Sequence, residues 1–188
     1  MHRSAEDIQD ELLVLRCQAG DGEALRALVS RWHPRLLHFA ARLMNDGDTG
    51  RDIVQDAWMA ILYGLRRLED PARFRVWAYR IVRNKCADWT RRRSTQRIAV
   101  LKLRCATAGQ SEDDGQPSLD TADEISRMRA ALRGLSDDER AMLALHSLSG
   151  LSVLEIAAVF DLPAGTVKSR LFGARDRLRK AMEVSNHA

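Results

Sequence analysis

Residues 151–182, LSVLEIAAVFDLPAGTVKSRLFGARDRLRKAM, decide how the chain is read. Ser152 followed three residues later by Glu155 is a capping box, in which the serine oxygen accepts a first-turn amide and the glutamate reaches back. Ile156, Val159 and Phe160 give the helix that follows an apolar face, and Ala157 leaves room for a close crossing. Asp161-Leu162-Pro163-Ala164 interrupts that helix, because proline disfavours an α conformation in the residue before it. A second helix from about Gly165 buries Val167, Leu171 and Leu178 and carries Lys168, Arg170, Arg175, Arg177, Arg179 and Lys180. Two short helices around a tight turn, the second basic, predict a helix-turn-helix and a DNA partner.

Working outward, the charge distribution points the same way. The 188 residues carry a net charge of only +4. It is concentrated: residues 66–93 hold ten basic and three acidic side chains, a net +7, while residues 106–124 hold six acidic and no basic ones. Two basic blocks separated by an acidic connector suggest two places that touch nucleic acid. The connector, ATAGQSEDDGQPSLDTADE, is small and polar and lacks helical periodicity until about Glu124. No apolar run approaches the ~18 residues that span a bilayer, and the N-terminus has no signal-peptide apolar core. A cytosolic protein is expected. Three cysteines, Cys17, Cys86 and Cys105, lack CxxC spacing and metal-spaced histidines, so free thiols are the default.

Every periodic segment is helical, and the expected fold is all-α. Two small helical domains, 6–94 and 125–183, are expected on either side of a flexible linker at 95–124. In the first, Ile8, Leu12 and Leu15 line one helix face, and Asp21 caps a helix with Leu25, Leu28, Val29 and Trp32 inward. Pro34 either opens a further helix or kinks this one. A helix from about Thr49 to Arg67 buries Ile53, Ala57, Ile61 and Leu65. Asp70-Pro71 reads as an N-cap with proline in the first turn, opening a long helix to about Arg93. In the second domain, Met128, Leu132 and Leu135 line one helix, and Ser136 with Glu139 forms another capping box. Gly150 ends that helix before the helix-turn-helix.

Three stretches in this order and spacing, RDIVQDAWMAIL (51–62), FRVWAYRIVRNKCADWTRRR (74–93) and GLSVLEIAAVFDLPAGTVKSRLFGARDRL (150–178), resemble the extracytoplasmic-function group of bacterial RNA polymerase sigma factors. The resemblance covers about residues 10–183. It implies a factor that binds core RNA polymerase and directs promoter-specific initiation. By that resemblance Asp52, Gln55 and Asp56, which share one helix stripe, dock on core polymerase. The bland reading of the same stripe is a solvated face with Arg51 as a local ion-pair partner.

The second stretch mixes arginines with Trp77, Tyr79 and Trp89 on one helix, a pattern suited to phosphates and stacked bases. The resemblance implies that this helix and the loop 66–74 read an opened −10 strand. The residues concerned are Arg80, Arg83, Asn84, Lys85, Asp88, Arg91 and Arg92, with Asn84 at a flipped-base pocket. Trp77 reads better as a core anchor; Tyr79 and Trp89 suit core or base equally. In the third stretch Thr166, Lys168, Ser169, Arg170, Phe172 and Arg175 fall where the family reads the duplex −35 element. Arg177, Arg179 and Lys180 suit backbone contacts or plain solvation. Gly173 stands where a basic residue is common. The acidic linker is either a segment threading a basic polymerase channel or a tether. An anti-sigma partner is a further implication.

The alternative is a stand-alone helix-turn-helix regulator, which leaves residues 51–93 without a role. An enzyme is not expected. His33 and His38 are five apart, which does not align two metal ligands on one helix face, and no cofactor or nucleophile motif is present.

Overall fold

The computed structural model describes residues 5–44, 46–104 and 134–183. Among them are seven α-helices and no strand: α1 (Ala5–Gln18), α2 (Gly22–Met44), α3 (Gly47–Leu65), α4 (Phe74–Arg104), α5 (Asp137–Ser147), α6 (Val153–Phe160) and α7 (Ala164–Glu183). A single 3-10 turn, Pro71–Arg73, leads into α4. Met128, Leu132, Cys105 and the acidic connector lie outside the described residues.

Local chemistry sets most of the helix starts. Asp21 accepts the amides of Glu23 and Ala24 at 2.9 and 3.0 Å and opens α2. Asp46 accepts the Asp48 amide and opens α3. Asp70 accepts the Ala72 amide, with Pro71 in the first turn. Ser136–Glu139 and Ser152–Glu155 are both complete capping boxes, serine to backbone and glutamate back to the cap. The expected stop of α6 at Pro163 has a different cause. Asp161 takes the left-handed conformation, φ 56° and ψ 48°, and the Leu162 amide returns to Ala157 O at 3.0 Å. A short polar side chain tolerates that region better than a branched one.

α1 to α4 enclose one core, with Leu28, Trp32, Leu36, Ile53, Ala57, Ile61, Phe74 and Tyr79 all buried. α2 passes through Pro34 as one helix, giving up a single backbone bond there. On α1 the expected face is reversed. Ile8, Leu12 and Leu15 are exposed, and Leu13, Val14 and Cys17 are buried. The reason is a charge. Asp10, only 5% exposed, faces inward to meet the Arg31 Nε at 2.6 Å. Apolar residues ring this helix, so periodicity alone had two solutions, and the ion pair selects one.

α4 continues through Arg104, past the boundary expected at 94. Its arginines, serine and glutamine are acceptable helix residues, and no glycine or proline occurs until Gly109. α5, α6 and α7 form the C-terminal unit around Met142, Leu145, Ile156, Val167, Leu171 and Ala174. This unit packs against α4 and α2, so its core is continuous with that of the N-terminal helices.

Candidate nucleic-acid interface

α3 is two-faced. Ile53, Val54, Ala57, Trp58, Ile61 and Leu65 are buried, while Asp52, Gln55 and Asp56 are exposed on the opposite side. Arg51 pairs with Asp48, not with that stripe. Asp52 and Asp56 share a small cleft with Lys85, Asp88, Trp89 and Arg92 of α4.

The residues expected on the −10 face do not all come together. Arg80, Asn84, Asp88 and Arg91 follow one another at helical steps and are exposed, with Arg91 Nη1 3.1 Å from Asp88 Oδ1. Lys85 and Arg92, with Asp88, line the small cleft they share with Asp52 and Asp56. Arg83 is half-buried, its guanidinium 5.4 Å from the centre of the Phe160 ring of α6.

Among the aromatics, Tyr79 belongs to the core. It is 1% exposed and meets Trp32 and Phe39 edge-on at 5.7 and 5.1 Å between centroids. Its hydroxyl lies 3.0 Å from the Ser149 hydroxyl. Burial pushes the phenol pKa up, opposed by the Ser149 bond and by Arg75 and Arg35. Trp89 is half-buried under the Arg93 guanidinium, 5.1 Å above its ring. Trp77, also half-buried, lies so close to α3 that a methyl group on Gly64 would sit 2.8 Å from its Cζ2. With Gly64, Arg67, Leu68, Glu69, Asp70 and Arg73 it lines an open cleft of about 650 Å³ between the end of α3 and the start of α4. The resemblance puts a base pocket at Asn84, which is exposed on α4; this cleft, at the loop 66–73, lies beside an aromatic face and two arginines.

On α7, Val167, Leu171 and Ala174 are buried. Lys168, Ser169, Phe172 and Arg175 project outward, and Thr166 and Arg170 are half-buried on the rim. Phe172 is 75% exposed, a large apolar ring left uncovered among basic groups. Ser169 Oγ donates to Thr166 O at 2.9 Å. Arg177 is not merely solvated: it reaches the Glu139 carboxylate at the start of α5. Arg179 and Lys180 each pair with Asp176 at 2.8 Å. Among the described residues no cluster of His, Cys, Asp or Glu is arranged to hold a metal. His33 Nδ1 faces the Trp58 indole nitrogen at 3.2 Å.

Two basic surfaces, one on a long helix beside an acidic stripe and one on a helix-turn-helix, match known proteins part by part. Residues 28–96 match the family model described as Sigma-70 region 2, and residues 125–178 that described as Sigma-70, region 4. The chain is 30% identical over 181 residues to the ECF RNA polymerase sigma-E factor of Escherichia coli K12, covering 93% of this chain and 94% of that protein. The chain belongs to the extracytoplasmic-function sigma factors.

The RNA polymerase sigma-H factor of Pseudomonas aeruginosa PAO1 is 31% identical over 183 residues, with 93% and 94% covered. Among solved structures, this sigma factor resembles RpoE of Bartonella quintana, determined in complex with the anti-sigma factor NepR, at 26% identity and a TM-score of 0.66. That match covers 85% of this chain and 97% of RpoE. It also resembles CnrH, determined in complex with the cytosolic domain of CnrY, at 28% identity and a TM-score of 0.65, covering 94% and 98%. The protein is thus an alternative sigma factor, a DNA-binding factor that directs transcription initiation.

Proposed function

We propose that the work of initiation is divided among three surfaces of this sigma factor. The N-terminal domain, about 6–94, docks on core RNA polymerase through Asp52, Gln55 and Asp56. It traps the melted −10 strand with the exposed α4 residues Arg80, Asn84, Asp88 and Arg91, with Arg83, Lys85 and Arg92 beside them. The cleft of Gly64, Arg67, Arg73 and Trp77 receives an unstacked base. The C-terminal domain, about 125–183, reads the duplex −35 element with Thr166, Lys168, Ser169, Arg170, Phe172 and Arg175. The segment between them, about 95–124, tethers the two, so each raises the effective concentration of the other at the promoter.

The observation that carries the docking assignment is the division of labour on α3. The buried face of α3 is Gly50, Ile53, Val54, Ala57, Trp58, Ile61 and Leu65, and the exposed Asp52, Gln55 and Asp56 take no part in it. Carboxylates facing a basic partner gain charge-assisted hydrogen bonds worth more than neutral ones. The chain supplies no catalytic group; the polymerase performs the chemistry. It acts in the cytoplasm, in keeping with the absence of any described helix long and apolar enough to cross a membrane. An anti-sigma protein is a further partner, as NepR is for RpoE.

The test is co-elution of the purified chain with bacterial core RNA polymerase, with the Asp52→Ala/Gln55→Ala/Asp56→Ala variant alongside. Co-elution by the parent and its loss in the folded variant support the assignment. Equal co-elution by both refutes it.

A further inference from the structure

We propose that Tyr63 and Arg67, at the end of α3, form a second base site for the opened strand, next to the Trp77 cleft. It takes an unstacked nucleotide adjacent to the one in that cleft, so the inference rests on the cleft's assignment to single-stranded DNA. Tyr63 is 75% exposed. Every other Phe, Trp or Tyr of α1 to α4 is buried or half-buried. The Arg67 guanidinium lies 5.3 Å from the centre of the Tyr63 ring, a cation–π contact across a step of four residues. The turn that ends α3 holds it there, with the Arg67 amide donating to the Gly64 carbonyl at 2.9 Å. One guanidinium leaves most of the ring open.

Arg67 stands between two clefts. On one side is the cleft already assigned to a base, which Arg67 lines with Gly64, Arg73 and Trp77. On the other is a cleft of about 510 Å³ that it lines with Tyr63, Arg66, Leu25 and Leu62, between the end of α3 and the start of α2. Both fall in the size range of small-molecule sites. An aromatic face, apolar walls and a guanidinium at the rim suit a nucleotide: the base stacks on the ring, and the arginine neutralises the phosphate. Asp21, the acid of the second cleft, is already held by Arg16 at 2.6 Å and does not draw Arg66 or Arg67 away. Arg67 then meets the phosphate that joins the two nucleotides.

Charge separates this reading from a protein contact. Met59 and Tyr63 continue the α3 stripe of Asp52, Gln55 and Asp56, and both are exposed. A partner drawn to those carboxylates is basic. The same basic surface reaching Tyr63 would meet Arg66 and Arg67, like charges that repel it. A phosphate backbone is attracted by both. The stripe changes sign between Asp56 and Arg66, and Tyr63 belongs to its basic end.

The experiment uses the full-length chain and a random-sequence DNA single strand of about 15 nucleotides, with 5-iododeoxyuridine in place of thymidine. Irradiation couples iodouracil to aromatic side chains in contact with it, and peptide mapping identifies them. Coupling is expected at Tyr63 as well as at Trp77. With a fluorescein-labelled strand free of iodine, Tyr63→Ala should bind about five- to tenfold more weakly than the parent. Tyr63→Phe keeps the ring and should bind as the parent does. Arg67→Gln should flatten the slope of log affinity against log salt by about 0.7, the share of one single-strand phosphate. Tyr63 is outside the buried core, and unfolding midpoints check that each variant keeps the fold.

Coupling at Trp77 without Tyr63 overturns the second site and leaves the first. Coupling at neither ring, in a complex that retains the strand, overturns both. Equal affinity of Tyr63→Ala and the parent overturns the second site. So does loss of co-elution with core RNA polymerase in Tyr63→Ala, which would make the ring a protein contact.

Discussion

The backbone of Ala41 rests directly on Gly50 where α2 crosses α3. A methyl group on Gly50 would lie 2.9 Å from the Ala41 nitrogen and 3.0 Å from its Cα. Ala41 lies in the last turn of α2 and Gly50 in the first turn of α3, two helices joined by only two residues, so the backbones can part only by straining that connection. Gly50→Ala gains at most ~1 kcal/mol of helix propensity and meets an overpacking cost of about 1–3 kcal/mol. The clash wins, and chemical denaturation should show net destabilisation on the order of 1–2 kcal/mol with an unchanged denaturant slope. A neutral or stabilising result would mean that the two helices slide apart freely.

Gly173 is the opposite case. Nothing lies within 4 Å of a Cβ built there, so helix propensity acts alone. Gly173→Ala should stabilise α7 by about 1 kcal/mol, read as a raised unfolding midpoint. Gly173→Arg should keep part of that gain and add one phosphate contact. The slope of log affinity against log salt for a −35 duplex would then steepen by about one unit. An unchanged slope would place residue 173 away from DNA.

These two glycines also show what could be read from the sequence and what could not. The capping boxes at Ser136–Glu139 and Ser152–Glu155, the caps at Asp21 and Asp70 and the basic helix-turn-helix are local, spanning a few residues each, and the structure contains all of them. The inward face of α1 was misread because its selection depends on Asp10 finding Arg31, 21 residues away. Tyr79 gave no local sign of being core; only α2 on one side and Ser149 on the other make it so. The chemistry of the −10 residues was legible residue by residue. Their division into an exposed row, a pair lining the cleft of Asp52 and Asp56, and Arg83 beside Phe160 follows from helix packing over long sequence separations.

Thiol chemistry is another consequence of packing. Burial pushes the Cys86 thiol up to about 12, and Cys17 is also raised, by burial first and then by Asp21. Both are free and buried. A thiol whose folded pKa exceeds its unfolded value near 9 favours the folded state below that pH and withdraws the contribution as pH climbs toward 12. Near pH 8 neither supplies useful thiolate. Iodoacetamide should therefore leave Cys17 and Cys86 unmodified in the native chain and alkylate both in denaturant, as followed by intact mass and peptide mapping. Rapid native labelling of Cys86 would contradict its place on the buried face of α4.

Glu139 ties the start of α5 to α7, and its titration provides a measurable handle on the reading domain. Burial raises its pKa, but the bonds from the Ser136 amide and the Arg177 guanidinium outweigh that and leave it below the ordinary carboxylate value of 4.5. A depressed folded value means the charge contributes its full stability above about 4.5 and loses it as pH falls through the lowered value. Glu139→Gln preserves the capping-box geometry, since glutamine serves in that position, and removes only the charge. With Arg177 half-exposed, the cost at pH 7 should be modest, about 0.5–1 kcal/mol. Thermal unfolding of the two proteins from pH 7 to pH 3 should show curves that are separate near neutrality and converge at the acid end. A gap that persists at pH 3 would assign the loss to packing. A gap that widens there would reverse the sign derived for this carboxylate.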